Sequence, residues 1–287
     1  MTSIGVVPKH RRLIVGSRNF FVYEYKKPFN SDTSDDYPIL CALFSKIRFE
    51  FYIAGERSIN VWDAKSGKPT RCFKNIFEHD ITYMALDNDH RKLIVGCHNG
   101  KIKVFDLLSG VKINDLEEHG GNSEDVSGEI SFIGYGNEDG TIITTAWDRT
   151  IKIHDDDRDE TKKISDNVLR ARCDCHKKDI ICGDYSHNLG LIATGGRDNL
   201  VRLWDYERMK EADNGIRAHK DEVTIVKFLK PFPLLMTSDS KGVMYIWLLP
   251  PWGGDTIKCL VKWCNKHSME QDIPISAVDV FYEKETQ

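Results

Sequence analysis

At 287 residues with 40% apolar side chains, the chain can hold one large or two ordinary domains around a packed core. Its 40 basic residues nearly balance 44 acidic ones, without the clustered basic excess that nucleic acid demands, so no nucleic-acid partner is expected. The apolar runs, such as ILCALF at 39–44, are too short to cross a bilayer, and MTSIGVVPKHRR lacks the order of a signal peptide, so a cytoplasmic chain without a membrane partner is expected.

Along the chain, one pattern keeps returning. SIGVV (3–7) and RLIVG (12–16) precede a run whose aromatic position is Tyr23; ILCALF and FYIAG (51–55) precede Trp62. ITYMAL and KLIVG (92–96) precede Phe105, and EISFIGY and TIITTA (141–146) precede His154. DIICGDY and LIATG (191–195) precede Trp204, and VTIVKF and LLMTS (234–238) precede Trp247. Each unit is three short alternating strands with a looser fourth after the aromatic anchor, as in KINDL (112–116), and Gly, Asn and Asp fill the turns. Nowhere do apolar residues recur at i, i+3, i+4 and i+7 over a long stretch, so no substantial helix is expected. One all-β domain therefore spans 1–287, with units at about 1–36, 37–78, 79–120, 121–170, 171–218 and 219–262, and a seventh opening at 273–287. A four-stranded unit cannot bury both faces alone, and stacking the units around an axis buries them against one another, giving a β-propeller.

Eight cysteines invite a zinc reading, densest at CDCH (173–176) with Cys182 nearby. Tetrahedral sites use well-separated short pairs such as Cys-x-x-Cys, which this spacing does not supply, so free thiols and no metal are expected. DDDRDETKKISD (155–166) resembles a calcium loop only in Asp155, Asp157 and Asp159 at its first, third and fifth positions: Glu160 stands where the turn needs Gly, and Asp166 where a bidentate Glu is needed. It reads as a solvated turn, and NSDTSDDYP (30–38) as a surface loop. Nucleophile elbows, phosphate loops, His-Glu-x-x-His and dinucleotide fingerprints are missing, so no enzyme activity, catalytic residue or cofactor is expected.

The endings INVWD, RLWD and YIW, with the His that opens EHDITYMAL, CHKKDIICG and AHKDEVTIV, resemble WD repeats across essentially the whole chain. The resemblance implies an incomplete seven-bladed WD-repeat propeller, with six recognisable blades and the first strand of a seventh. It also implies a buried network within a blade: a turn Asp holds a His, the His meets a strand hydroxyl, and the hydroxyl meets the Trp indole N–H. The fifth unit alone reads as complete, with His176, Thr194, Asp198 and Trp204. In the sixth, His219, Thr237 and Trp247 are present but Lys241 occupies the Asp position; the fourth has Thr144 and Asp148 without a His opener or a Trp.

In this architecture the turn residue before the Asp position faces one end of the ring. Those residues are Arg18, Arg57, His98, Trp147 and Arg197, an Arg- and Trp-rich set of the kind found in protein-binding hot spots. DITYMALDNDHRKLIVGCHNGKIKVFDLLSG (80–110) and KFLKPFPLLMTSDSKGVMYIWLLPP (227–251), followed by PISAVDVF (274–281), resemble the WD-repeat proteins of cilia and flagella. That likeness implies a scaffold of the axoneme binding other axonemal or microtubule-associated proteins; the alternative is a WD-repeat adaptor or substrate receptor in a cytosolic complex such as a ubiquitin ligase. Because SIGVV already opens the first unit, no strand is spare to complete the seventh, and a donated strand from another segment or chain is expected there.

Overall fold

The structure, a computed structural model, describes residues 39–120, 127–136, 140–156, 167–212, 215–250, 256–265, 274–275 and 277–278, and the backbone of four strands before residue 36. Among the described residues, six antiparallel sheets follow one another in chain order. The first is β1 (Ser3–Val7), β2 (Arg12–Gly16), β3 (Phe20–Glu24) and β4 (Ser34–Asp35), the last placing a short strand inside the expected 30–38 loop. The second is β5 (Cys41–Ser45), β6 (Glu50–Gly55), β7 (Ser58–Asp63) and β8 (Pro69–Phe73). The third is β9 (Ile81–Leu86), β10 (Lys92–Cys97), β11 (Ile102–Asp106) and β12 (Lys112–Leu116).

The fourth is β13 (Ile130–Tyr135), β14 (Thr141–Ala146), β15 (Ile151–Asp155) and β16 (Val168–Arg172). The fifth has three strands, β17 (Ile180–Ser186), β18 (Leu191–Gly196) and β19 (Val201–Asp205); its outer edge is reduced to the bridges Val201–Ile216 and Trp204–Glu211. The sixth is β20 (Val223–Phe228), β21 (Leu234–Asp239), β22 (Val243–Leu248) and β23 (Lys258–Cys264). No helix among the described residues is long and apolar enough to cross a membrane.

Each sheet is one blade, and successive first strands pack on one another, β5 on β9, β9 on β13, β13 on β17 and β17 on β20. Four of these first strands share a register shift just after their first residue, at Ile81, Ile130, Ile180 and Val223. A bulge moves one residue out of the alternation, so the first, fourth and sixth residues share a face. In β20 these are Val223, Val226 and Phe228, all in the core shared with blade five.

Apolar burial between blades is the main force holding the stack together, at about 25 cal/mol per Å² of surface removed from water. Toward its successor, blade two presents Tyr52, Ile59 and Val61, blade three Ile94, Ile102 and Val104, and blade four Ile143, Ile151 and Ile153. Blade five presents Ala193, Val201 and Leu203, and none of these twelve side chains is more than 4% exposed. Polar bolts cross the same seams: Asp156 of blade four accepts from Lys92 of blade three at 2.7 Å, and Asp184 of blade five accepts the Phe228 N–H at 2.8 Å. Asp156 also accepts the Tyr135 hydroxyl at 2.7 Å, so the start of the acidic stretch is spent on packing; residues 157–166 lie outside the described residues. Of the expected seventh opening at 273–287, Pro274 is exposed, Ile275, Ala277 and Val278 are half-buried, none of the four is in a ladder, and the rest lie outside the described residues.

Candidate interaction face

The site is built from the turns that join the second and third strands, and polar networks beneath them set the position of those turns. In blade five, His176 Nδ1 meets Asp198 at 2.9 Å, His176 Nε2 meets the Thr194 hydroxyl at 2.8 Å, and the Trp204 indole donates to the same hydroxyl at 2.9 Å. An ionised carboxylate only accepts, so His176 donates from Nδ1 and its Nε2 accepts from Thr194, which in turn accepts from Trp204. Burial pushes the Asp198 carboxyl up, but the His176 bond and the Lys177 and Leu200 N–H groups outweigh it and hold the carboxyl below its ordinary value. Asp198 thereby ties the turn to the strand entry at 176–177.

Two expectations about the other blades need correcting. Blade six is complete: Asp239, not the residue at 241, takes the His219 Nδ1 at 2.9 Å, while Thr237 bonds His219 at 2.7 Å and Trp247 at 2.9 Å. Asp239 closes β21 itself, and its other oxygen accepts the Lys241 and Val243 N–H groups, so it serves the turn from two residues earlier. Lys241 points outward to Asp221 at 3.2 Å. Blade four also has its opener, His119, which meets Asp148 at 3.0 Å and Thr144 at 2.8 Å. The 13 residues between β12 and β13 hide it from a spacing argument that expects the His just ahead of the first strand. Blades two and three carry the buried aliphatics Ile53 and Val95 at the hydroxyl position.

Above these networks, one residue from each of three adjacent blades forms a row. The Arg197 guanidinium lies 4.5 Å from the centre of the Trp147 ring, and the His98 ring meets Trp147 edge-on at 6.4 Å. Acids stand between them: Glu129 meets His98 at 2.6 Å, and Asp179 accepts from Arg197 at 2.7 Å, with Glu222 at 4.0 Å from its Nε. Burial raises the Glu129 carboxyl above its ordinary value, against the pull of His98 and Arg197. Each row residue is locked by its backbone as well, with His98, Trp147 and Arg197 donating to the carbonyls of Asp80, Glu129 and Asp179 at 3.0 Å.

Of the five residues singled out for this face, the structure brings His98, Trp147 and Arg197 together. Arg57 is exposed without a described contact to the row, and Arg18 lies outside the described residues. The acids were missed by sequence reasoning, although the signal was present: Asp80, Glu129, Asp179 and Glu222 each stand immediately ahead of a first strand. His98 is more than half exposed and Arg197 more than a third, so the row is an accessible strip of fixed geometry. Among the described residues no three His, Cys, Asp or Glu side chains could hold a metal ion, and all eight cysteines are free. Cys72 and Cys259 lie exposed on outer strands, unlike buried Cys97 and Cys182.

The WD domain, G-beta repeat (WD40) profile matches residues 67–106 and 167–205, each running from an outer strand to the anchor strand of the next blade. Cilia- and flagella-associated protein 337 B of Tetrahymena thermophila is 23% identical over 249 residues, 85% of this chain and 19% of that protein. The anaphase-promoting complex subunit cdc20 of Dictyostelium discoideum is 23% identical over 150 residues, 52% of this chain and 27% of that protein. The meiotic fizzy-related protein 1 of Schizosaccharomyces pombe is 26% identical over 155 residues, 52% of this chain and 32% of that protein. The chain therefore spans about a fifth to a third of these relatives. A chain from the crystal structure of a mitotic checkpoint complex superposes with a TM-score of 0.73 at 15% identity, covering 96% of this chain and 79% of that one. With six successive antiparallel blades among the described residues, the chain folds as a β-propeller that carries WD40 repeats at 67–106 and 167–205 and resembles the WD-repeat proteins.

Proposed function

We propose that this propeller is a non-enzymatic protein-interaction scaffold of the ciliary or flagellar axoneme, working from the cytoplasm with axonemal or microtubule-associated proteins as partners. The observation that carries the axonemal role is coverage: similarity to the cilia- and flagella-associated relative extends over 249 residues, against 150 and 155 for the cell-cycle relatives. The contact surface is the strip His98–Trp147–Arg197. Rigid aromatic and guanidinium groups lose little conformational entropy when a partner covers them, which is why such residues dominate binding energy at interfaces.

A second reading, an adaptor or substrate receptor in a cytosolic complex such as a ubiquitin ligase, is supported by the cdc20 and fizzy-related matches. Fractionation of ciliated cells expressing the tagged chain separates the two. The scaffold reading expects the chain in the axonemal pellet after detergent and salt extraction, and loss of that retention in the W147A/R197A double variant. Complete release into the detergent-soluble fraction, together with co-purification of ligase subunits, would establish the adaptor reading instead.

A further inference from the structure

Alternate turns of an antiparallel sheet lie at opposite ends, so the turns joining β5 to β6, β7 to β8, β9 to β10 and β11 to β12 stand at the end away from the His98–Trp147–Arg197 strip. Bonds between them make one surface across blades two and three. The Ser45 hydroxyl meets His90 Nδ1 at 2.8 Å, and Arg48 Nε donates to the His90 carbonyl at 3.3 Å. The Leu107 N–H donates to the Arg91 carbonyl at 2.8 Å, and Arg71, paired with Glu50, donates to the Leu108 carbonyl at 2.7 Å. The Lys65 ammonium lies 5.4 Å from the centre of the Phe49 ring.

Two kinds of side chain face outward from these turns. Ile47, Leu108 and Val111 are 57%, 56% and 63% exposed. A single exposed aliphatic residue is ordinary, but three on turns bonded to one another mark a contact surface. Lys46, Lys65, Lys68 and Arg91 are exposed and in no ion pair among the described residues, whereas Lys92, Lys112 and Lys152 on neighbouring strands each hold a carboxylate. The acids here serve the turns themselves: Asp63 takes the Lys65 and Ser66 N–H groups, Asp106 the Ser109 N–H, and Asp87 the Arg91 and Lys92 N–H groups. Asp89 is the one exposed acid on the four turns.

We infer that this end of blades two and three is a second docking surface, and that its partner is an acidic protein segment. Its apolar residues cover Ile47, Leu108 and Val111 while its carboxylates meet Lys46, Lys65, Lys68 and Arg91. The interleaved Asp63, Asp89 and Asp106 repel a uniformly anionic membrane or phosphate backbone, but a single chain with spaced acids runs between them. The surface is separate from the strip, so one propeller can hold two partners at once, one at each end.

Fluorescence anisotropy of a labelled peptide of glutamates with leucine at every third position, titrated with the full chain, tests this. The unaltered chain should bind it, and Lys46→Glu with Lys68→Glu should weaken binding about tenfold or more, because like charges then face each other. Leu108→Ser with Val111→Ser should weaken it several-fold. Asp89→Lys should tighten it, a gain that misfolding cannot mimic, and W147A/R197A should leave it unchanged. Failure to bind, equal affinity for a glutamate peptide without leucine, or an equal loss in W147A/R197A would overturn the proposal. Preference for phosphatidylserine vesicles or for RNA over the peptide would overturn it as well.

Discussion

His119 and His154 share one hydroxyl: Thr144 Oγ1 lies 2.8 Å from His119 Nε2 and 2.9 Å from His154 Nε2. Asp148 takes the His119 Nδ1 proton, so His119 Nε2 is an acceptor that Thr144 satisfies. Thr144 must then accept from His154, which places the His154 proton on Nε2. The imidazole thus plays the part that the Trp204 and Trp247 indoles play in blades five and six. Its Nδ1, buried without a partner, is a bare acceptor, a smaller penalty than a stranded donor.

Thr144→Val removes the hydroxyl on which both rings depend at nearly constant volume. It should destabilise the chain by about 1–3 kcal/mol, because two buried imidazole nitrogens lose their partners at once. Chemical denaturation measures this directly; a midpoint equal to that of the unaltered chain would remove the hydroxyl from the account. His154→Phe in the same background should add little, since the bond that it deletes is already gone.

Acid should weaken the fold before the lowered Asp148 and Asp198 carboxyls titrate. Burial, with His119 and Lys152 adding to it, holds His154 well below the usual imidazole range, and burial lowers His219 against the pull of Asp239. The unfolded chain takes up protons on these rings near pH 6.5, while the folded chain resists. Stability is therefore full above about pH 6.5 and declines as the pH falls below it, until the depressed folded values are reached. The lowered Asp148 and Asp198 carboxyls act later, their stabilisation being lost only as the pH falls through their folded values below about 4. Denaturation midpoints at pH 7.5 and 5.5 should differ, and His154→Phe should narrow the difference. A flat profile in the unaltered chain would contradict the buried neutral rings.

In blade six, Asp239→Ala should cost about 1–3 kcal/mol by stranding the buried His219 donor, as Asp198→Ala should in blade five. Lys241→Ala should change little, since its contact with Asp221 is a surface ion pair. Thermal melts of the three variants are sufficient. If Lys241→Ala proved as damaging as Asp239→Ala, the assignment of the acid would be wrong.

What was legible in the sequence was what the period carries. Strand alternation and anchor spacing gave the all-β propeller class, and KINDL coincides with β12. What escaped depends on geometry that spacing does not encode. Asp239 reaches its His from the end of a strand rather than from the turn, and His119 lies far ahead of its blade because the 117–129 connection is long. His154 was set aside because it is not Trp, although one N–H aimed at one hydroxyl is all the position requires. The acids of the candidate face went unnoticed because each sits outside the strand pattern, where a single charged residue looks like any solvated loop position.

The Trp147–Arg197 stack makes a final, quantitative prediction. A guanidinium 4.5 Å from an indole centroid, partly open to water, contributes about 0.5–1 kcal/mol, and the 2.7 Å bond that it donates to Asp179 fixes the plane of the guanidinium. Arg197→Lys keeps the charge but loses the flat surface and the forked donors, so it should forfeit most of that coupling. A double-mutant cycle over Trp147→Ala and Arg197→Ala should return a coupling of about 0.5–1 kcal/mol, with Trp147→Phe retaining part of it. Because both side chains lie above the buried networks rather than within them, the single variants should remain folded, with near-native melting. A coupling indistinguishable from zero would mean that the two side chains do not hold each other in solution, and the strip would then lack the fixed geometry on which its role as a contact surface depends.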